Sequence, residues 1–190
     1  MEIHPLPLKG AAEITCAKHE DDRGWFARLF CQKELLSLNH NRQIQQVNSS
    51  FTKKMGTIRG LHYQSPPYAE DKIVRCISGR VFDVMVDLRK GSSTFGQYHS
   101  VLLDSAKMNM VYIPKGFAHG FQTLEDDCQM LYLHTEFYAP DYDRGIYYDS
   151  PNLDIKWPLE ALDLSDKDKN LTHLDMSFEG IECKVPKDYF

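Results

Sequence analysis

Hydrophobic and polar residues alternate along much of this chain with a period of two, the spacing of a strand that buries one face. In KIVRCISGRVFDVMVDL, residues 72–88, two β-branched runs flank Ser78-Gly79, which predicts a hairpin. In the second run Phe82, Val84, Val86 and Leu88 fall on one face and Asp83 and Asp87 on the other. HSVLLD (99–104), MNMVYIP (108–114), HGFQTL (119–124) and CQMLYLHTEF (128–137) follow at short spacing, parted by turn residues such as Lys115-Gly116 and Asp126-Asp127. Many short strands at this spacing predict an all-β sandwich or barrel. Helical patterning is weak: CQKELLSLN (31–39) allows two turns, and PLEALDLSDKDKN (158–170) begins as another short helix. APDYDRGIYYDSPNLDIKW (139–157) reads as ordered loop. With no repeat, low-complexity tract or composition shift, a single domain over 1–190 is expected.

Composition narrows the function classes. The 190 residues, 42% hydrophobic and 12% aromatic, suffice for one core. A net charge of −5 provides no basic stripe for nucleic acid, while a small basic pocket for a phosphorylated small molecule remains compatible with it. The N-terminus MEIHPLPLKGAAEITC lacks a basic segment followed by an apolar run, and no stretch approaches the roughly 20 apolar residues of a membrane span. A cytoplasmic protein is expected. Cys16, Cys31, Cys76, Cys128 and Cys183 are odd in number and never form a CxxC pair, which signals neither a disulfide framework nor a zinc knuckle.

The chemistry concentrates in two segments. YIPKGFAHGF (112–121) holds Pro114, Gly116 and His119 in a P-x-G-x-x-H arrangement, a tight turn with a histidine starting the next strand. In a cupin-type jelly roll that histidine would sit in the barrel mouth and bind metal beside an earlier H-x-H and a glutamate. Around His62 the sequence reads LHYQ, with Tyr63 and Gln64 where a second imidazole would be needed, so no metal is expected. Two mouth histidines without metal suit proton transfer. Arg59 and Lys72 lie on or near the same strands, and Tyr132 shares a face with Met130 and His134. A base, cations and a phenol fit a reaction in which a carbon-bound proton leaves one face, an oxyanion develops, and a proton returns to the other face. Each residue also has a structural explanation: a surface charge for Arg59 and Lys72, a core aromatic for Tyr132, a turn histidine for His62.

The succession DDRGWF (21–26), QVNSS (46–50), RGLHYQ (59–64), DKIVRC (71–76), VFDVMVDLRKGSSTFGQ (81–97), YIPKGFAHGF (112–121), YAPDYDRGI (138–146) and LSDKD (164–168) resembles the dTDP-4-dehydrorhamnose 3,5-epimerase family over about residues 19–168. The resemblance implies a cupin-type jelly roll, a homodimer, no cofactor, and epimerisation of nucleotide-linked 4-keto-6-deoxy sugars for surface polysaccharide. It implies that His62 is the base, Asp168 its carboxylate partner and Tyr132 the opposite-face acid, with Lys72 near the sugar C4 oxygen. Asp83 is a rival for the partner role, since it lies on the polar face of its strand. His119 and Arg59 match substrate contacts, and Arg23, Trp25, Arg28, Gln46, Asn48, Asp143 and Lys167 match nucleotide or substrate positions.

Departures from the family pattern fall at Arg28, for a glutamate of the nucleotide pocket, Val47 for aspartate, Ser49 for histidine, Trp25 for phenylalanine and Leu133 for lysine. Thymidine is the family's base, and Arg28 keeps CDP- or GDP-linked sugars open. Epimerisation at C3 or C5 alone also stays open. From other classes, a metal-dependent cupin enzyme predicts metal at His62 and His119, and a non-catalytic sugar-nucleotide binder predicts binding without exchange.

Overall fold

The computed structural model describes residues 1–39, 43–175 and 177–183, and strands dominate them. In chain order they are β1 (Glu2–Pro5), β2 (Ala12–Thr15), β3 (Lys18–Asp21), β4 (Gly24–Ala27), β5 (Gln46–Thr52), β6 (Ile58–Gln64), β7 (Lys72–Ser78), β8 (Arg80–Asp87), β9 (Tyr98–Asp104), β10 (Met110–Ile113), β11 (Phe117–Thr123), β12 (Cys128–His134) and β13 (Asp143–Gly145). Two short helices accompany them, α1 (Leu36–Asn39) and α2 (Asp166–Lys169). A six-stranded sheet in the order β1-β2-β10-β7-β12-β5 faces a five-stranded sheet in the order β13-β6-β11-β8-β9, and β3 and β4 form a separate ribbon. This is the all-β architecture that the alternation predicts and the cupin-type jelly roll that the resemblance implies.

Three apolar layers explain the strand patterns. Val74, Cys76, Val81, Met85, Val111, Ile113, Phe121 and Met130 fill the space between the sheets. Leu61, Val84, Val86, Leu88 and Ala118 pack on the outer side of the five-stranded sheet under Ile146, Leu153, Leu174 and Ile181 from the C-terminal segment. Ala12, Ile14, Ile73, Met110 and Tyr112 pack outside the six-stranded sheet against Leu35 and Leu38. Strands β7, β8 and β10 are thus buried on both faces, which is why their sequences are nearly continuous apolar runs. The two faces of β8 separate as expected, but the face bearing Asp83 and Asp87 points inward, and both carboxyls are fully buried.

The Ser78-Gly79 hairpin is corrected. β7 pairs with β10 and β12, and β8 pairs with β9 and β11, so the chain turns a corner there and passes from one sheet to the other. Gly79 makes the corner at φ +79°, and a Cβ on it would lie 2.7 Å from Cys128 Sγ. The helix expected to begin at Pro158 is also displaced. Residues 159–163 form no helix: Gln122 exchanges hydrogen bonds with the Leu159 backbone and Thr57 bridges Asp163. Helix begins only at Asp166, where Ser165 Oγ accepts from Asp168 N. α1 is shorter than the two turns expected, the 139–157 loop contributes β13, and His119 is the third residue of β11.

The 88–97 connection is ordered by Asp87, which accepts from Arg89 Nε (2.8 Å), Arg89 Nη2 (2.7 Å), Ser92 Oγ (2.6 Å) and Thr94 Oγ1 (2.6 Å). Burial alone would raise the Asp87 carboxyl, but these donors hold it below its usual range. Closer to the cavity, β6 and β11 approach tightly. Gly60 has φ +116°, and a Cβ on Gly120 would meet Arg59 O at 2.5 Å and Leu61 Cδ2 at 2.8 Å. That contact lets His119 stand in register opposite His62. Gly120→Ala is expected to cost about 2–3 kcal/mol, read in a thermal melt as a midpoint lowered by roughly 4–12 °C.

Candidate active site

Between the sheets lies a cavity of about 410 Å³ whose two walls carry different chemistry. The five-stranded sheet supplies Arg59 and His62 from β6 and His119 from β11. The six-stranded sheet supplies Asn48 and Ser50 from β5, Lys72 from β7, and Tyr132 and His134 from β12. Asp168 and Lys167 on α2 close one side. Period-two geometry accounts for the convergence, since Tyr132 and His134 both point inward while Leu133 between them packs outside.

His62 Nε2 lies 2.6 Å from Asp168 Oδ1. An ionised carboxylate can only accept, so Nε2 carries the proton and Nδ1 keeps its lone pair. Burial by itself would raise the Asp168 carboxyl, but His62, the Gly60 amide and Ser165 outweigh it and hold the group below its ordinary range. The sign follows: a depressed folded-state value contributes stability at neutral pH that is lost as pH falls through that value. Ser165→Ala removes the cap that sets the α2 turn and is expected to cost about 1 kcal/mol, measurable by denaturant unfolding.

His119 Nε2 lies 2.8 Å from Asp83 Oδ2, so Asp83 serves His119, and the rivalry for His62 resolves in favour of Asp168. Burial pushes the Asp83 carboxyl up despite the charges of His119 and Lys72. On the opposite wall the Tyr132 hydroxyl lies 2.8 Å from Ser50 Oγ, and burial pushes the phenol up to about 12. Tyr132 therefore holds its proton through the neutral range and can deliver it only to a stronger base. Arg59 reaches across the walls, donating from Nε to Thr52 Oγ1 (2.8 Å) and from Nη2 to Phe51 O (3.1 Å).

Of the residues singled out from sequence, His62, Tyr132, Asp168, Lys72, Asn48, Arg59, His119 and Lys167 line this one cavity. Asp143 joins through its ion pair with Lys167 and accepts from Tyr138 Oη at 2.9 Å. Gln46 stands at the rim of β5, where its Oε1 accepts from Tyr138 N. Arg23, Trp25 and Arg28 are not brought to the cavity within this chain. They lie on or beside the β3–β4 ribbon, where Arg23 pairs with Asp21 at 2.6 Å, Arg28 pairs with Glu34 at 2.6 Å, and Trp25 is exposed beneath Lys18.

Sequence reasoning missed Ser50 and Glu70. Ser50 carries no signal beyond alternation on β5, and Glu70 precedes its strand. Among the described residues no three His, Cys, Asp or Glu side chains gather as metal ligands. His62 and His119 each commit Nε2 to a carboxylate.

The family model described as dTDP-4-dehydrorhamnose 3,5-epimerase matches residues 5–176. The dTDP-4-dehydrorhamnose 3,5-epimerase of Shigella flexneri is 42% identical over 151 residues, 79% of this chain and 83% of that protein. The crystal structure of the Legionella pneumophila dTDP-6-deoxy-D-glucose-3,5-epimerase in complex with dTDP-4-keto-L-rhamnose superposes with a TM-score of 0.90, 35% identity and coverage of 97% of this chain and 99% of that one. A 3′-monoepimerase from Streptomyces bikiniensis in complex with dTDP-quinovose gives a TM-score of 0.83 at 34% identity, covering 90% and 86%.

Proposed function

The chain belongs to the dTDP-4-dehydrorhamnose 3,5-epimerase family, and from that premise we propose that His62, Lys72 and Tyr132 carry out its epimerisation of a dTDP-linked 4-keto-6-deoxyhexose. The observation that carries the assignment is that the base and the phenol come from opposite sheets across one cavity. A sugar ring between those walls presents one face to His62 Nδ1 and the other to Tyr132.

Protons on C3 and C5 are acidic because both carbons flank the C4 ketone. His62 Nδ1 takes such a proton, and the electron pair of the C–H bond moves into the ring as an enolate whose oxygen is stabilised by the Lys72 ammonium. Tyr132 gives its proton to the same carbon from the far face, which inverts the centre. Solvent then takes the proton from His62 and restores the phenol. The Asp168 carboxylate stabilises the imidazolium that forms in between. Arg59, His119 and Lys167 supply donors and positive charge for the sugar and the pyrophosphate.

The protein acts, in this reading, as a cytoplasmic homodimer. β5 is the free edge of its sheet and exposes Val47 and Phe51, and the ribbon exposes Trp25 and Phe26. A second copy that laid its ribbon by the cavity would reunite Arg23, Trp25 and Arg28 with the remaining nucleotide-binding positions. Light scattering is expected to give twice the chain mass, and a monomer would overturn the dimer.

Proton NMR in D2O with dTDP-4-keto-6-deoxyglucose tests the reaction. The C3 and C5 signals are both expected to vanish, with unchanged rates after treatment with a chelator. Loss of one signal alone would make the enzyme a mono-epimerase, and retention of both would reject the assignment. Faster exchange with the CDP- or GDP-linked sugar would reassign the base.

A further inference from the structure

Lys72 on β7 and His134 on β12 stand directly opposite each other in the antiparallel register, both facing the cavity. Cation-forming side chains in directly opposed positions repel when both are charged. Between them lies Glu70, with its side chain only 8% exposed. Its Oε1 is 3.3 Å from Lys72 Nζ and its Oε2 is 2.8 Å from His134 Nδ1, so one carboxylate holds both groups, one oxygen to each. The segment that carries Glu70 is itself clamped. Asp71 N donates to Thr135 Oγ1 at 2.9 Å, Thr135 N donates to Asp71 O at 3.1 Å, and Lys115 N donates to Asp71 Oδ1 at 2.8 Å.

We propose that Glu70 and His134 are positioning residues for the epimerisation, acting through Lys72. Glu70 fixes the Lys72 ammonium at the site where the enolate oxygen develops, and His134 fixes Glu70. The proposal rests on the proton-transfer reading above, since it concerns how the cation of that site is held. A lysine chain has four rotatable bonds, and an unanchored ammonium would stabilise the enolate only in the fraction of time it pointed there. Because Glu70 accepts at Nδ1, His134 presents Nε2 to the cavity. The other charged or titratable groups about the cavity are Arg59, His62, His119 and Asp83 from the five-stranded sheet, Tyr132 from β12, and Asp168 and Lys167 from α2. All of them are unchanged in the variants compared below.

The test compares wild type with Glu70→Gln, Glu70→Ala, His134→Asn and His134→Leu in a coupled assay and by C3 and C5 exchange in D2O, from pH 6 to 9. Glu70→Gln keeps the size and a hydrogen-bond acceptor but removes the charge. It is expected to lower kcat about 10–100-fold with KM changed less than about threefold, because the loss falls on the developing oxyanion. His134→Leu leaves Glu70 without one of its two donors and is expected to lower kcat about tenfold, whereas His134→Asn, whose amide nitrogen can take the place of Nδ1, is expected to recover most of that loss. Glu70→Ala separates a folding defect from a positioning one through its melting temperature. Unchanged kcat in folded Glu70→Gln would overturn the proposal, as would a loss carried by KM instead of kcat, or equal activity of His134→Leu and His134→Asn. Absence of exchange in the wild type would instead overturn the proton-transfer reading beneath it.

Discussion

His62→Gln is expected to slow C3 and C5 proton exchange about 10³–10⁴-fold while leaving the fold intact. Glutamine has an Nε2 donor that can still reach Asp168, so the buried carboxylate keeps its main partner. What disappears is the Nδ1 lone pair. The side chain sits in the cavity wall rather than in an apolar layer, and its replacement leaves no void in the core. The measurement is deuterium incorporation under single-turnover conditions, with the melting temperature as a control. Exchange within about tenfold of wild type would remove His62 from the role of base. Asp168→Asn is expected to be nearly as severe, because an amide in that place can donate to the imidazole and favours the tautomer whose lone pair points the wrong way.

Tyr132→Phe is expected to separate two events that run together in the wild type. Deprotonation depends on the other wall and is expected to persist within about tenfold. Delivery to the far face depends on the phenol, and formation of inverted product is expected to fall about 10²–10³-fold. The enolate would mostly recapture a proton from the His62 side, exchanging its label without inverting. Following deuterium uptake by NMR and product by a coupled reductase in the same sample gives both rates, and equal rates would remove Tyr132 from the acid role. Ser50 is the hydroxyl within reach of the phenol, so Ser50→Ala is expected to show a weaker form of the same separation.

Much of this arrangement was legible in the chain. Alternation identified the later strands and put Tyr132 and His134 on one face, because a strand's side chains sort by parity whatever they pair with. Parity does not say which strands pair. Ser78-Gly79 has the chemistry of a two-residue hairpin, and only the packing of two sheets makes it a corner between them. Asp168 stands 106 residues from His62, and local pattern carries nothing of that contact; the resemblance alone suggested it. Asp83 and Glu70 show the same limit from the other side. Asp83 read as a rival partner for His62 and instead serves His119, and Glu70, which carried no signal of its own, is the partner of His134. The ribbon residues Arg23, Trp25 and Arg28 matched functional positions in the sequence, yet one chain alone does not deliver them to the site.

Because His62 hangs from one sheet and Tyr132 from the other, the gap between them is set by what fills the space below. Facing sheets sit roughly 10 Å apart, and side chains such as Met130, Val74, Phe121 and Met85 act as the spacers. In the proposed reaction the fidelity of inversion is then a mechanical property of the barrel. An enlarged or shrunken spacer would leave both catalytic groups present and correctly protonated, yet would change how often the ring is handed its proton from the wrong side, so that errors of handedness could arise from substitutions that never touch the sugar.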